Sequence, residues 1–201
     1  HMCLAEIGAG GDGAPGSMGE VRAFGNARGG RRVARAVRAD LSVGAQTTAG
    51  GATWLDRQLV ARVSVDLGGG FGLEVSQAME VRAEHLIEEG MARREGERVI
   101  FARNLLGTLR QRELDALGEK LSQEMNMPFR EAAAGEYVAG TYSRRFTLAS
   151  GRFAMVDDGL GFSLVPWTPS VEKHIGQHIS GVARADGGVD WSFGRKRGLG
   201  L

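Results

Sequence analysis

His174 and His178 stand four residues apart, a spacing that puts two side chains on one face of a helix and suits a divalent metal. The hydrolase version of that pattern needs a glutamate directly after the first histidine, where Ile175 stands, and no third ligand is near in sequence. An exposed or capping histidine pair is therefore the default, and no metal is expected. Asp157 and Asp158 form a second candidate pair, but the Gly159 that follows makes a turn their more natural role. No Ser-His-Asp order, phosphate-cradling loop with its lysine, or cysteine-histidine pair stands out. Neither a catalytic residue nor a cofactor is assigned.

Arginine is the residue type that clusters. Arg28, Arg31, Arg32, Arg35 and Arg38 put five guanidiniums in eleven residues with no acid between them, and such forks suit phosphate oxygens. A solvated strand face is the competing reading, since Phe24 is the only aromatic platform nearby for stacking an unpaired base. Arg93, Arg94 and Arg98 fall on an expected hairpin after a helix, an order shared with winged helices, whose wing touches backbone phosphates. Glu95 and Glu97 dilute that group. Arg144 and Arg145 follow Tyr137 and Tyr142, and Trp167 and Trp191 stand at expected strand ends, so a stacking surface competes with ordinary core packing. Arg195, Lys196 and Arg197 make a basic tail.

The elements that must position these residues follow from periodicity. Val21 and Phe24, then Val33, Val37 and Leu41, suggest two short strands, with Arg32 and Arg38 on the face opposite the valines. Gly44 to Ala52 reads as a loop. Thr53 with Asp56 reads as a capping box opening a helix that carries Trp54, Leu55 and Leu59. A second helix is expected from about Glu74 to Glu89, with Val75, Met79, Leu86 and Ile87 on one side, closed by Gly90. Met91 to Arg94 and Arg98 to Ala102 read as the hairpin. Asn104 is the expected cap of a third helix, whose leucines run from Leu106 to Leu121 before Pro128 stops it. Strands are expected over Tyr137 to Leu148, Arg152 to Val156 and Phe162 to Trp167, with Asp157-Asp158-Gly159 as a hairpin turn. A short helix from about Ser170 to Ile179 and a last hairpin, Gly181 to Arg184 with Val189 to Phe193, complete the chain.

These elements predict an α+β fold in three stretches. Residues 1–50 form a glycine-rich start with two short strands, 51–130 a helical, winged-helix-like region, and 131–201 a small β-rich, barrel-like unit with one short helix. Composition agrees with a folded chain. It has 201 residues, 42% apolar and 24% charged, enough to bury roughly 70% of the surface its unfolded form exposes. Glycine, at 32 residues, is about twice its usual share of about 7%, in keeping with many tight turns. The net charge of +1 means that any nucleic-acid affinity comes from local clusters. A single cysteine, no apolar run of about 18 residues and no signal-type start point to a cytoplasmic protein without a membrane partner.

Several phrases carry a family likeness: "GATWLDRQL" at Gly51 to Leu59, "RAEHLIEEGMARREGERVIFARNLLGTLRQREL" at Arg82 to Leu114, "SGRFAMVDDGLGFSLVPW" at Ser150 to Trp167, and "WSFGRKRGLGL" at the chain's end. From about residue 19 to 201 the chain resembles the carboxy-terminal domain of unknown function in conjugative relaxases, the mobilisation nucleases of bacterial plasmids and integrative elements. The resemblance implies the tail of a larger relaxase, and the pair His1-Met2 reads as a cloning scar at an artificial cut. Such a relaxase binds an origin of transfer and nicks one strand through a tyrosine, using an amino-terminal domain with a metal-binding H-x-H histidine pattern. The histidines here are His1, His85, His174 and His178, with no H-x-H, so no catalytic residue carries over. Tyr137 and Tyr142 stand outside any nuclease-like context, and no nicking by this chain is expected.

Two functions remain in view. One is a non-catalytic DNA-binding module that grips the displaced single strand or origin duplex through Arg28 to Arg38, the hairpin arginines, Arg144, Arg145 and the basic tail. The other is a docking module for relaxosome accessory proteins or the coupling protein. Arginines converging on one face would favour the first; dispersed arginines beside exposed apolar surface would favour the second. A metal hydrolase is a distant third.

Overall fold

The computed structural model describes residues 41–61 and 71–193, which lie within one compact unit, Ala39–Leu201. The strands expected before Leu41 lie outside the described residues. So do Arg28, Arg31, Arg32, Arg35, Arg38, Arg195, Lys196 and Arg197.

The stretch read as a loop contains a one-turn helix, α1 (Val43–Gln46), capped by Ser42, whose hydroxyl accepts from the Ala45 amide. Four residues are too few to show a period. What holds the turn is the buried Gln46 amide, which donates to the Leu41 carbonyl and accepts from the Leu55 amide. Helix α2 (Trp54–Val60) opens on the expected capping box: the Asp56 amide donates to the Thr53 hydroxyl, and the Thr53 amide donates to Asp56 Oδ2 at 2.7 Å.

The Asp56 carboxylate has a second task. Arg82, on helix α3 (Phe71–Glu88), reaches it through Nε at 2.8 Å and Nη2 at 3.0 Å, and both side chains are wholly shielded from solvent. The remaining guanidinium donors go to the carbonyls of Thr47, Ala49 and Gly51, so one buried cation pins the α1–α2 connection. Leu55, Val75 and Ala78 pack beside it, and Leu86 joins Ala52, Leu105 and Leu109 in an adjoining cluster.

After α3 comes the hairpin β1 (Ala92–Glu95) and β2 (Arg98–Phe101), turning through Gly96 at φ +59°. Helix α4 (Leu105–Met125) follows, burying Leu105, Leu109, Leu114 and Leu121. Asn104 holds the cap position, but its side chain caps no amide. At the other end the helix stops before Pro128 is reached: Asn126 takes the left-handed conformation at φ 52° and its amide closes on the Ser122 carbonyl.

The last third is a five-stranded antiparallel sheet built from β3 (Tyr137–Leu148), β4 (Gly151–Asp157), β5 (Phe162–Pro166), β6 (His178–Ala183) and β7 (Val189–Ser192), in the order β5-β4-β3-β6-β7. Helices in the amino-terminal half, then a sheet with one short helix, α5 (Pro169–Glu172), make the fold α+β. Strand β3 serves two cores because it carries a bulge at Ser143: Tyr142 pairs Val156, yet Arg144 pairs Met155. The extra residue reverses which parity faces which side. Val138 and Tyr142 lie with Ala154, Val156, Val165 and the α5 residue Val171, whereas Phe146 and Leu148 lie with Phe153, Phe162 and the α4 leucines on the opposite face.

Two features tie the sheet down. Glu113 of α4 accepts from the Ala149 and Ser150 amides at the β3–β4 turn, each at 2.9 Å, while the Ser150 hydroxyl accepts from the Ala52 amide. Gly51 passes against the Glu113 carboxylate, so a Cβ there would displace the side chain that accepts from the Ala149 and Ser150 amides. Along β5 the segment after α4 forms a short parallel bridge, Phe129 with Phe162. No helix among the described residues is long and apolar enough to cross a membrane.

Candidate functional site

The hairpin arginines are set by strand alternation. Arg93 and Glu95 lie two apart on one face of β1 and form an ion pair at 2.6 Å, while Arg94 points the other way and pairs with Glu84 of α3. Arg98 forms no ion pair among the described residues. All three side chains are exposed, but two already hold carboxylates that a phosphate would have to displace.

As neighbours on β3, Arg144 and Arg145 fall on opposite faces, and the bulge at Ser143 sets which of them takes which face. Arg144 pairs with Met155 across the sheet and its guanidinium sits 5.8 Å from the Phe146 ring centroid. Arg145 pairs with Ala154, lies 5.4 Å from the Trp167 centroid and bonds Glu172 at 3.0 Å. Arg152, opposite Thr147, brings a second guanidinium to 5.6 Å from the same tryptophan. Glu172 joins the cluster together: its Oε2 accepts from Trp167 Nε1 at 2.6 Å and from the Tyr142 hydroxyl at 3.2 Å. Nothing local in the sequence announces Arg152 and Glu172 as members; only the cross-strand register and the turn into α5 bring them in.

Burial pushes the Tyr142 phenol above its ordinary value of 10.0, and the Glu172 charge and hydrogen bond push it the same way, against a smaller opposing effect of Arg145. The chain has two tyrosines, so in Tyr137→Phe the near-ultraviolet phenolate absorbance reports Tyr142 alone. Its midpoint is expected above pH 10.0, and to move to lower pH when Glu172→Gln removes the neighbouring charge. An unmoved titration in that second variant would contradict the assignment.

The two histidines do not share a helix. Helix α5 covers Pro169–Glu172 and not Ser170 to Ile179: His174 lies in the turn that follows, Gly176 takes φ +74°, and His178 is the first residue of β6, paired with Thr141. The sheet's demand for an extended partner to β3 overrides the helical spacing. His174 stacks on Phe193, ring centroids 4.1 Å apart and nearly parallel, with Nδ1 3.2 Å from Gln177 Oε1. Among the described residues no three His, Cys, Asp or Glu side chains gather where a metal could be held.

Asp157-Asp158-Gly159 forms the expected turn. Asp157 Oδ1 accepts from the Gly159 amide, and Asp158 Oδ1 accepts from the amides of Leu160 and Gly161. These amides, the Leu160 bond foremost, together with Arg130 at 3.0 Å, hold the Asp158 carboxyl below its ordinary value of 3.8. The Arg130–Asp158 pair lines a cleft of about 350 Å³ with Glu136, Tyr137 and Ser163. Its cation is thus already neutralised from within.

The remaining large surface feature is the outer face of α3, where Glu80, Glu84 and Glu88 recur every four residues beside exposed Leu73 and Val81. This face went unread in the sequence, where the four-residue glutamate spacing is the signal that could have marked it. The chain as a whole carries a net charge of +1. The candidate arginines among the described residues are dispersed over β1, β2 and both faces of β3.

No curated protein and no solved structure matches the chain. A family model does match, over residues 15–200, and it bears the description protein of unknown function (DUF3363). With all but the ends of the sequence covered, the chain belongs to that family.

Proposed function

We propose that this chain is a non-catalytic binding module of a conjugative relaxase, and that its folded body docks a protein partner, an accessory factor of the nicking complex or the coupling protein, in preference to DNA. The relaxase context comes from the sequence resemblance. The preference for protein rests on one observation: among the described residues, Arg93, Arg94 and Arg145 are each paired with a carboxylate of the same fold. Phosphate contacts dominate nucleic-acid affinity, and arginines already paired on a chain of net charge +1 offer few of them.

A single-strand-binding role keeps one supporting feature, the Trp167 ring with Arg145 and Arg152 beside it. Fluorescence anisotropy of the chain with labelled single-stranded and duplex DNA across a salt series separates the readings. Arg144→Ala with Arg145→Ala is expected to leave both affinity and salt slope unchanged. A slope that flattens by about 0.7 per lost contact on single strands, or about 0.9 on duplex, would overturn the preference for protein. In parallel, sedimentation with each purified accessory protein and the coupling protein is expected to yield a complex with one of them. Association with none would overturn the docking role.

A further inference from the structure

We infer that the outer face of α3 is a docking surface for a basic, amphipathic segment of a partner protein. The inference rests on the docking role just proposed and adds to it the surface and the chemistry of its occupant. Helix α3 is held to the body by Val75, Ala78, Arg82 and Leu86. On the opposite side Leu73, Gln77, Glu80, Val81, Glu84 and Glu88 fall within about 100° of arc at 100° per residue. Leu73 is 63% exposed and Val81 53%, both among the most open large apolar side chains of the described residues.

The two aliphatic residues are eight apart, about 12 Å along the axis, and a carboxylate stands at each turn from Glu80 onward. Glu84 is paired with Arg94; Glu80 and Glu88 have no cationic partner among the described residues. A face built this way selects its occupant by charge. Nucleic acid and an anionic membrane surface are repelled. A second copy of the chain would set the same glutamates against one another. A partner helix with apolar residues seven or eight apart, flanked by Lys or Arg, meets both demands: its aliphatic side chains cover Leu73 and Val81 while its cations reach Glu80 and Glu88.

The test uses a labelled 18-residue peptide of Leu, Ala and Lys with its leucines on one helical face, a scrambled peptide of the same composition, and a version with Glu in place of Lys. By anisotropy with the full chain, the patterned basic peptide is expected to bind at least five-fold more tightly than the scrambled one, and the acidic version not at all. Leu73→Ser with Val81→Ser, and separately Glu80→Lys with Glu88→Lys, should each weaken binding at least five-fold. All four positions are exposed, and unchanged circular dichroism confirms that the variants fold. Equal binding of patterned and scrambled peptides, or full binding in both variants, would overturn the inference. Failure of the docking role itself is read separately, as sedimentation in which no partner associates with the unaltered chain.

Discussion

Arg82→Met is expected to destabilise the protein by about 3–5 kcal/mol, seen as a large fall in the urea midpoint of unfolding. Methionine fills much of the arginine volume, so the loss comes chiefly from what is left behind. The Asp56 carboxylate keeps its place in the capping box but loses a two-point cation at 2.8 and 3.0 Å, in a site closed to water. The carbonyls of Ala49 and Gly51 lose their donors as well. A simple buried pair can often be replaced by two apolar residues at little cost. Here the double variant Asp56→Leu with Arg82→Met is expected to recover little, because the Thr53 amide and those carbonyls stay unsatisfied. Full recovery in the double variant would show that the pair acts in isolation.

Phe162→Ala should cost a similar amount, about 3–5 kcal/mol, by a different route. Phe162 is 1% exposed and sits where α4, β4 and the Phe129 bridge meet, its ring centroid 5.5 Å from that of Phe129. Removing the ring opens a cavity in the apolar cluster that Phe162 shares with Leu121, Phe153 and Leu164, whose backbones are fixed by helix or strand register. Thermal unfolding followed by circular dichroism measures the loss. A shift too small to resolve would mean that Phe129 swings in to fill the space.

Local chemistry made much of this architecture readable. The Thr53–Asp56 box, Gly96 in the first hairpin and the Asp157-Asp158-Gly159 turn are each stated within four residues, and each fold as expected. The leucines of α4 likewise show their period without help from elsewhere. What stayed hidden depends on partners distant in sequence. Arg82 reads as one more polar residue on an amphipathic helix until Asp56, twenty-six positions earlier, turns out to face it. His174 and His178 carry a helical spacing that β3 overrides by pairing with His178. Among candidate site residues the arginines were visible as types, but their neutralisation by Glu84, Glu95 and Glu172 was not. One of those acids is two residues from its arginine and the other two are ten and twenty-seven away.

The bulge at Ser143 has a consequence for how this protein can come apart. Since it turns the first half of β3 toward one apolar cluster and the second half toward the other, a single strand is shared by the α5 side and the α4 side of the sheet. A protease cut between α4 and β3 would therefore not release an autonomous β fragment, because Phe146 and Leu148 would be stripped of the helix that covers them. The strand behaves as a seam stitched from both sides, and loosening either side frees the other.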